Sequence, residues 1–134
     1  MPALGIAGVF PNLYEQVCSG PMIYSAQAVV TNREINALDN IYTVDARILP
    51  PGADSIQGRA QIKGFWQQAI AGLGVRDAKL TTVDAQAAGD SVIEVGRADL
   101  TLDAGQILTV KYVVHWKEED GIWKWHTDIW NMNQ

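Results

Sequence analysis

His126, Asp128 and Trp130 stand at alternate positions near the C-terminal end of this chain, and alternate residues of a strand share one face. An imidazole and a carboxylate side by side can pass a proton between them and a ligand. An indole next to them can stack on a flat molecule. Asp128 and His126 are therefore the candidate catalytic pair, with Trp130 as a ligand contact. A carboxylate walled in by apolar groups is pushed toward its protonated form unless it is paired. The blander alternative is a structural hydrogen-bonded pair within the sheet, with Asp128 accepting from His126 or Lys111.

The strand carrying these residues must pair with the one before it. Residues 106–117 and 122–133 both alternate with period two around Asp120-Gly121, a dipeptide suited to a two-residue hairpin turn. With that turn Glu119 opposes Ile122, His115 opposes His126, and Val113 opposes Asp128. One face then carries Lys111, Val113, His115, His126, Asp128 and Trp130, the expected pocket wall. The other carries Tyr112, Val114, Trp116, Trp123, Trp125 and Ile129, too apolar to meet water. A helix layer covers only one side of a sheet, so the second side is expected to pack on another copy as a homodimer. Glu94 joins the face of Val113 if the turn at Ala104-Gly105 has two residues, and the opposite face if it has three. His115, His126 and Asp128 could also bind iron or zinc, but no fourth ligand is evident and no metal is expected.

Helical periodicity precedes the strands, the order of an α+β domain. An apolar arm over residues 1–20 is followed by a first helix at 21–30, capped by Ser19 with Pro21 in its first turn. Asn32 can cap a second helix through about residue 45, with Ile35, Leu38, Ile41 and Tyr42 recurring on it. A short strand at 46–49 stops at Pro50-Pro51-Gly52. Residues 58–74 carry a third helix with Ile62, Phe65, Trp66, Ala69, Ile70 and Leu73 on one stripe, ended by Gly72 or Gly74. Four strands follow, with turns at Gly89-Asp90, Asp103-Ala104-Gly105 and Asp120-Gly121. Three helices on a twisted antiparallel sheet imply a curved sheet with one concave face and a cavity.

At 134 residues the chain fits one domain, and 48% hydrophobic against 19% charged residues excludes a disordered chain. The net charge of −5 comes without any basic stripe, which argues against nucleic acid. Cys18 is the only cysteine, so no intrachain disulfide and no multi-cysteine zinc site can form. The apolar start lacks the positive charge of a secretory signal and is too short to span a bilayer. A cytoplasmic protein without membrane association is expected. No phosphate loop accompanies Gly5-Ile6-Ala7-Gly8, and no cofactor is implied.

Several stretches carry a resemblance: Tyr42 to Gly52, Gly58-Arg59 with Phe65-Trp66, Gly89-Asp90 through Glu94-Val95-Gly96-Arg97, Lys111 to Lys117, Asp120 to Lys124, and Asp128 to Asn131. Over residues 21–133 the chain resembles ketosteroid-isomerase-like and SnoaL-like (polyketide-cyclase-like) members of the nuclear transport factor 2-like superfamily. The resemblance implies a cone-shaped, cystatin-like roll: three N-terminal helices on a highly curved, mostly antiparallel sheet, a pocket between them, and commonly a homodimer through the outer sheet face. It also implies that Asp128 and Trp130 line the pocket, and that Glu94 and Lys111 belong to recurrent motifs.

True ketosteroid isomerases use an aspartate base and an oxyanion hole of a tyrosine and a protonated aspartate. Aligned without gaps, those positions fall on Pro50, Ala26 and Val113. Tyr24 is two residues from the tyrosine position, a rotation of about 200° on a helix. The isomerase mechanism is therefore not expected.

Two functions remain. One is a pocket binding a small apolar or aromatic molecule, oriented by Asp128 or His126, with Trp66 and Trp130 stacking and Tyr24 and Tyr42 offering hydroxyls. The other is a lyase-, isomerase- or cyclase-like enzyme using Asp128 and His126 for proton transfer. The aromatic residues could equally be plain core, and the whole domain a structural oligomerisation module.

Overall fold

A computed structural model describes residues 34–133. The apolar arm, the helix expected at 21–30 and Tyr24 lie outside the described residues.

The described chain opens with a short 3-10 helix, Ile35–Asn40. Strand β1 (Tyr42–Leu49) follows, then a short β2 (Ile56–Gln57), helix α1 (Arg59–Leu73), and four long strands: β3 (Val75–Ala88), β4 (Ser91–Leu102), β5 (Ile107–Glu119) and β6 (Ile122–Met132). The strands form one sheet in the order β2-β1-β6-β5-β4-β3. Only β1 and β6 run parallel; the other neighbours are antiparallel.

Of the second helix expected through residue 45, only the 3-10 helix at Ile35–Asn40 forms. Its helical spacing of Leu38, Ile41 and Tyr42 is overridden from Tyr42 on, where the β-branched Thr43 and Val44 begin a strand. Trp125 N–H donates to the Ile41 carbonyl at 2.6 Å, docking this segment on β6. Arg59 fixes the junction. Its guanidinium donates to the carbonyl oxygens of Asp39 and Tyr42 and pairs with the carboxylates of Asp39 and Glu119.

Helix α1 begins after Gly58 and ends at Gly74, whose φ of 68° is the left-handed cap that glycine allows. Ile62 and Ile70 are its buried residues, and Phe65 and Trp66 pack partly buried beside them. It lies against the concave face of a sheet bent by register shifts in β3, β6 and the β1–β6 pairing. The core, including Tyr42, Ile48, Ile62, Val92, Val114 and Trp116, sits between helix and sheet.

One close approach inside the sheet needs a glycine. Gly96 stands opposite Tyr112, and a methyl group there would collide with the Tyr112 ring and reach within 2.9 Å of the Thr81 carbonyl oxygen. Gly96→Ala is expected to cost about 1–3 kcal/mol, the usual range for overpacking, and to push Tyr112 off its hydrogen bond. Urea denaturation checks this; an unchanged midpoint would mean that the ring moves aside freely.

Candidate functional site

The turn at Asp120-Gly121 forms as expected, with φ of 56° and 79° at its two residues and Glu119 opposite Ile122. Pairing stays in that register through Trp116 opposite Trp125. One residue beyond, it shifts: His115 opposes Thr127, Val114 opposes Asp128, and Tyr112 opposes Trp130. His126 is the extra, unpaired residue of a β-bulge, and a shift of one residue moves side chains to the other face.

The two faces inferred from an unbroken hairpin are therefore wrongly composed. Asp128 and Trp130 share the concave face with Val110 and with Tyr112, Val114 and Trp116, the last three of which were expected on the outer side. Trp116 is 1% exposed and belongs to the core, as do Trp123 and Trp125. Val113 is 40% exposed, and Lys111 is exposed beside it on the outer face. Neither contacts the cavity.

His126 does not join Asp128. Its Nδ1 lies 2.9 Å from the Thr43 hydroxyl and 3.8 Å from an Asp45 carboxylate oxygen, and its ring meets that of His115 edge-on at 6.0 Å. Burial, then the nearby charges of Lys117 and His126, hold the His115 pKa below the usual imidazole value. Neither histidine lines the cavity. Among the described residues no group of three His, Cys, Asp or Glu side chains is arranged to hold a metal.

Between α1 and the concave face lies a cavity of about 280 Å³, near the lower end of the range for small-molecule sites. Its wall is almost wholly apolar, with Ile41, Phe65, Ile70, Leu80, Leu100 and Val110 among the contributors. Among the described residues Asp128 is the one charged group in that wall. Trp66 from α1 and Trp130 from β6 stack at 5.0 Å with planes 23° apart, and Phe65 meets Trp130 edge-on.

Asp128 is 3% exposed and accepts a hydrogen bond from the Tyr42 hydroxyl at 2.7 Å on Oδ2. The Trp66 indole N–H donates in turn to the Tyr42 oxygen at 3.2 Å. Burial pushes the Asp128 pKa up to about 7; the Tyr42 hydroxyl opposes that rise and the charge of Glu94 adds to it. Burial and the neighbouring carboxylate likewise raise Tyr42 well above the usual phenol value, so its proton stays on. Near neutral pH Asp128 is poised between acid and base, with no Lys, Arg or His among the described residues of the wall.

Glu94 faces the same interior, because the β4–β5 pairing places it opposite Val114. It is 3% exposed. Three donors converge on its carboxylate: the Thr82 hydroxyl at 2.8 Å, the Tyr112 hydroxyl at 3.1 Å and the Trp116 indole N–H at 2.9 Å. Burial still raises its pKa, with those three bonds acting in the opposite direction. Tyr112 and Trp125, which the unbroken register had turned outward, both line the cavity. Gly96 opposite Tyr112 is the one local trace of that ring's position. Nothing in the residues around His126 marks the bulge.

A SnoaL-like domain profile matches residues 24–126, so the chain belongs to the SnoaL-like family. Its fold is that of nuclear transport factor 2-like proteins. Among solved structures, LinA superposes with a TM-score of 0.69 at 14% identity, covering 100% of this chain and 92% of that one. The hexachlorocyclohexane dehydrochlorinase LinA-type3 from Novosphingobium barchaimii gives 0.62 at 18% identity, over 84% and 83% of the two chains. A nuclear transport factor 2-like protein of unknown function from Pseudomonas putida gives 0.63 at 16% identity, over 82% and 80%. At such identities the likeness carries the fold alone. No curated protein matches the chain. No helix among the described residues is long and apolar enough to cross a membrane.

Proposed function

We propose that this protein binds a small apolar or aromatic molecule between α1 and the concave sheet, oriented by a single polar contact to Asp128. The observation that carries this reading is the placement of one buried carboxylate, tethered by Tyr42, in an otherwise apolar cavity. Such pockets gain affinity from apolar contact and orientation from a few convergent polar groups. The Trp66–Trp130 stack offers a flat surface for a ring. Screening thermal stability against a metabolite library tests it, since binding to the native state raises the unfolding temperature. Hits should be lost in Ala98→Phe and in Ala69→Trp, each of which fills the cavity from a different wall. Hits that persist in both folded variants would place the ligand elsewhere.

A second reading is favoured by one observation, the Asp128 pKa of about 7, which suits a group that must both take and give a proton near neutrality. In this reading Asp128 acts as general acid or base without His126. The fold carries dehydrochlorination in hexachlorocyclohexane dehydrochlorinases. Asp128→Asn that still binds a hit but no longer converts it would decide for catalysis.

The outer face supports a homodimer. Val95, Val113 and Ile129 are cross-strand neighbours, 39%, 40% and 46% exposed, and an apolar row of that kind invites a second copy. Val113→Lys is expected to convert a dimer into a monomer in light scattering without unfolding it. A wild-type mass equal to one chain would remove the proposal.

A further inference from the structure

The cavity's electrostatics are one-sided. Asp128 lines it, and Glu94 lies behind Tyr112, whose hydroxyl donates to Glu94 while the residue itself faces the cavity. No Lys, Arg or His is among the described residues lining it. Lys124, the buried lysine of the same strand as Asp128, is engaged with Glu119 at 3.0 Å. Two buried carboxylates thus lie close together, their hydrogen-bond partners among the described residues all neutral hydroxyls and an indole, and buried charges are normally paired. Of the Asp128 oxygens, Oδ2 takes the Tyr42 hydroxyl, while Oδ1 makes no hydrogen bond among the described residues.

The surroundings of that carboxylate are aromatic. Tyr42 and Tyr112 both meet Trp125, at 5.6 and 5.8 Å between ring centres, and Trp66 stacks on Trp130. Aromatic faces attract a cation, most strongly where water is excluded. Among the described residues the Trp125 indole N–H is buried without a hydrogen-bond partner.

We propose that the cavity selects an organic cation, an ammonium carried on a small apolar or aromatic body, with its charge beside Asp128 and against the rings of Tyr42, Trp66 and Trp130. This rests on the reading of the cavity as a ligand site and names the class of ligand. In the empty protein a proton on Asp128 does the neutralising; a bound ammonium replaces it. Binding is therefore coupled to proton release. Among the described residues the titratable groups facing Asp128 are Tyr42 from β1, Tyr112 from β5 and Glu94 from β4; Glu94 is the second carboxylate, and burial raises its pKa as well.

Benzyltrimethylammonium is a suitable probe because its charge does not depend on pH, and neopentylbenzene is its neutral isostere. At pH 8 the cation is expected to bind about tenfold or more tightly than the isostere. Its affinity should fall by up to about tenfold per pH unit below pH 7 as Asp128 takes up a proton. Asp128→Asn should abolish the preference while leaving the isostere's affinity within about twofold. Equal or tighter binding of the isostere at pH 8, or a preference that survives Asp128→Asn, overturns the cation assignment and leaves the apolar pocket standing. Binding of neither probe overturns both.

Discussion

Asp128→Asn is expected to make the protein more stable at pH 8 and to remove a fall in stability between about pH 4 and pH 7. The folded pKa of about 7 lies above the ordinary aspartate value of 3.8. The raised folded pKa means the native state holds its proton more tightly than the unfolded chain. Below about pH 4 both states are protonated and that stability is fully present. As pH rises the unfolded chain ionises first, and the native state loses about 1.4 kcal/mol per unit until its own carboxylate ionises near pH 7. Over roughly three units the loss is about 4 kcal/mol.

Asparagine keeps an acceptor for the Tyr42 hydroxyl and never ionises. Its amide N–H groups go partly unpaired, which returns about 1–2 kcal/mol, so a net gain of about 2 kcal/mol at pH 8 is expected. Glu94 slopes in the same sense, its pKa also being raised by burial, so the difference between the two proteins is the informative quantity. Urea denaturation from pH 5 to 8 measures it. Parallel profiles would mean that Asp128 is not desolvated. A stabilising change at a binding residue is the usual sign that function, rather than stability, keeps the original side chain.

The second large effect concerns Glu94. Glu94→Ala strands three interior donors, Thr82, Tyr112 and Trp116, at a cost of about 1–3 kcal/mol each where water cannot replace the carboxylate. A loss on the order of 4 kcal/mol is expected, among the larger single-residue effects. Glu94→Gln should lose about 1 kcal/mol, because the Thr82 and Tyr112 hydroxyls can turn to suit an amide and only the Trp116 N–H needs an acceptor. The glutamine variant should also lower the Asp128 midpoint, since it removes a negative charge that raises it. Equal losses in the two variants would show that packing volume, not hydrogen bonding, is what Glu94 supplies.

The strands β3 to β6 and helix α1 are legible in the sequence because their signals are local. Asp120-Gly121 can adopt the positive φ pair of a tight hairpin, Gly74 the left-handed cap, and Ile62, Trp66 and Ile70 repeat at helical spacing. Tyr42 to Leu49 is less legible, because its helical spacing is decided by pairing with β6, some 80 residues away along the chain. The candidate site is half legible for a similar reason. Asp128, Trp130, Trp66 and Tyr42 meet in the cavity, but His126, His115, Lys111 and Val113 do not, since a single unpaired residue at position 126 separates the imidazole from the carboxylate and inverts the facing strand. Alternation identifies who shares a face only while the ladder is unbroken. Glu94 depended on the length of one turn, and the observed pairing of Glu94 with Val114 puts it inside.

The most direct test of the account is the titration of the Asp128 side-chain carboxyl, followed by carbon-13 NMR in the ligand-free protein and assigned with Asp128→Asn. A midpoint near pH 7 that falls in Glu94→Gln is the expected result. A midpoint near 4, the value of a solvated aspartate, would contradict a carboxylate enclosed in an apolar cavity, and with it the proposed site.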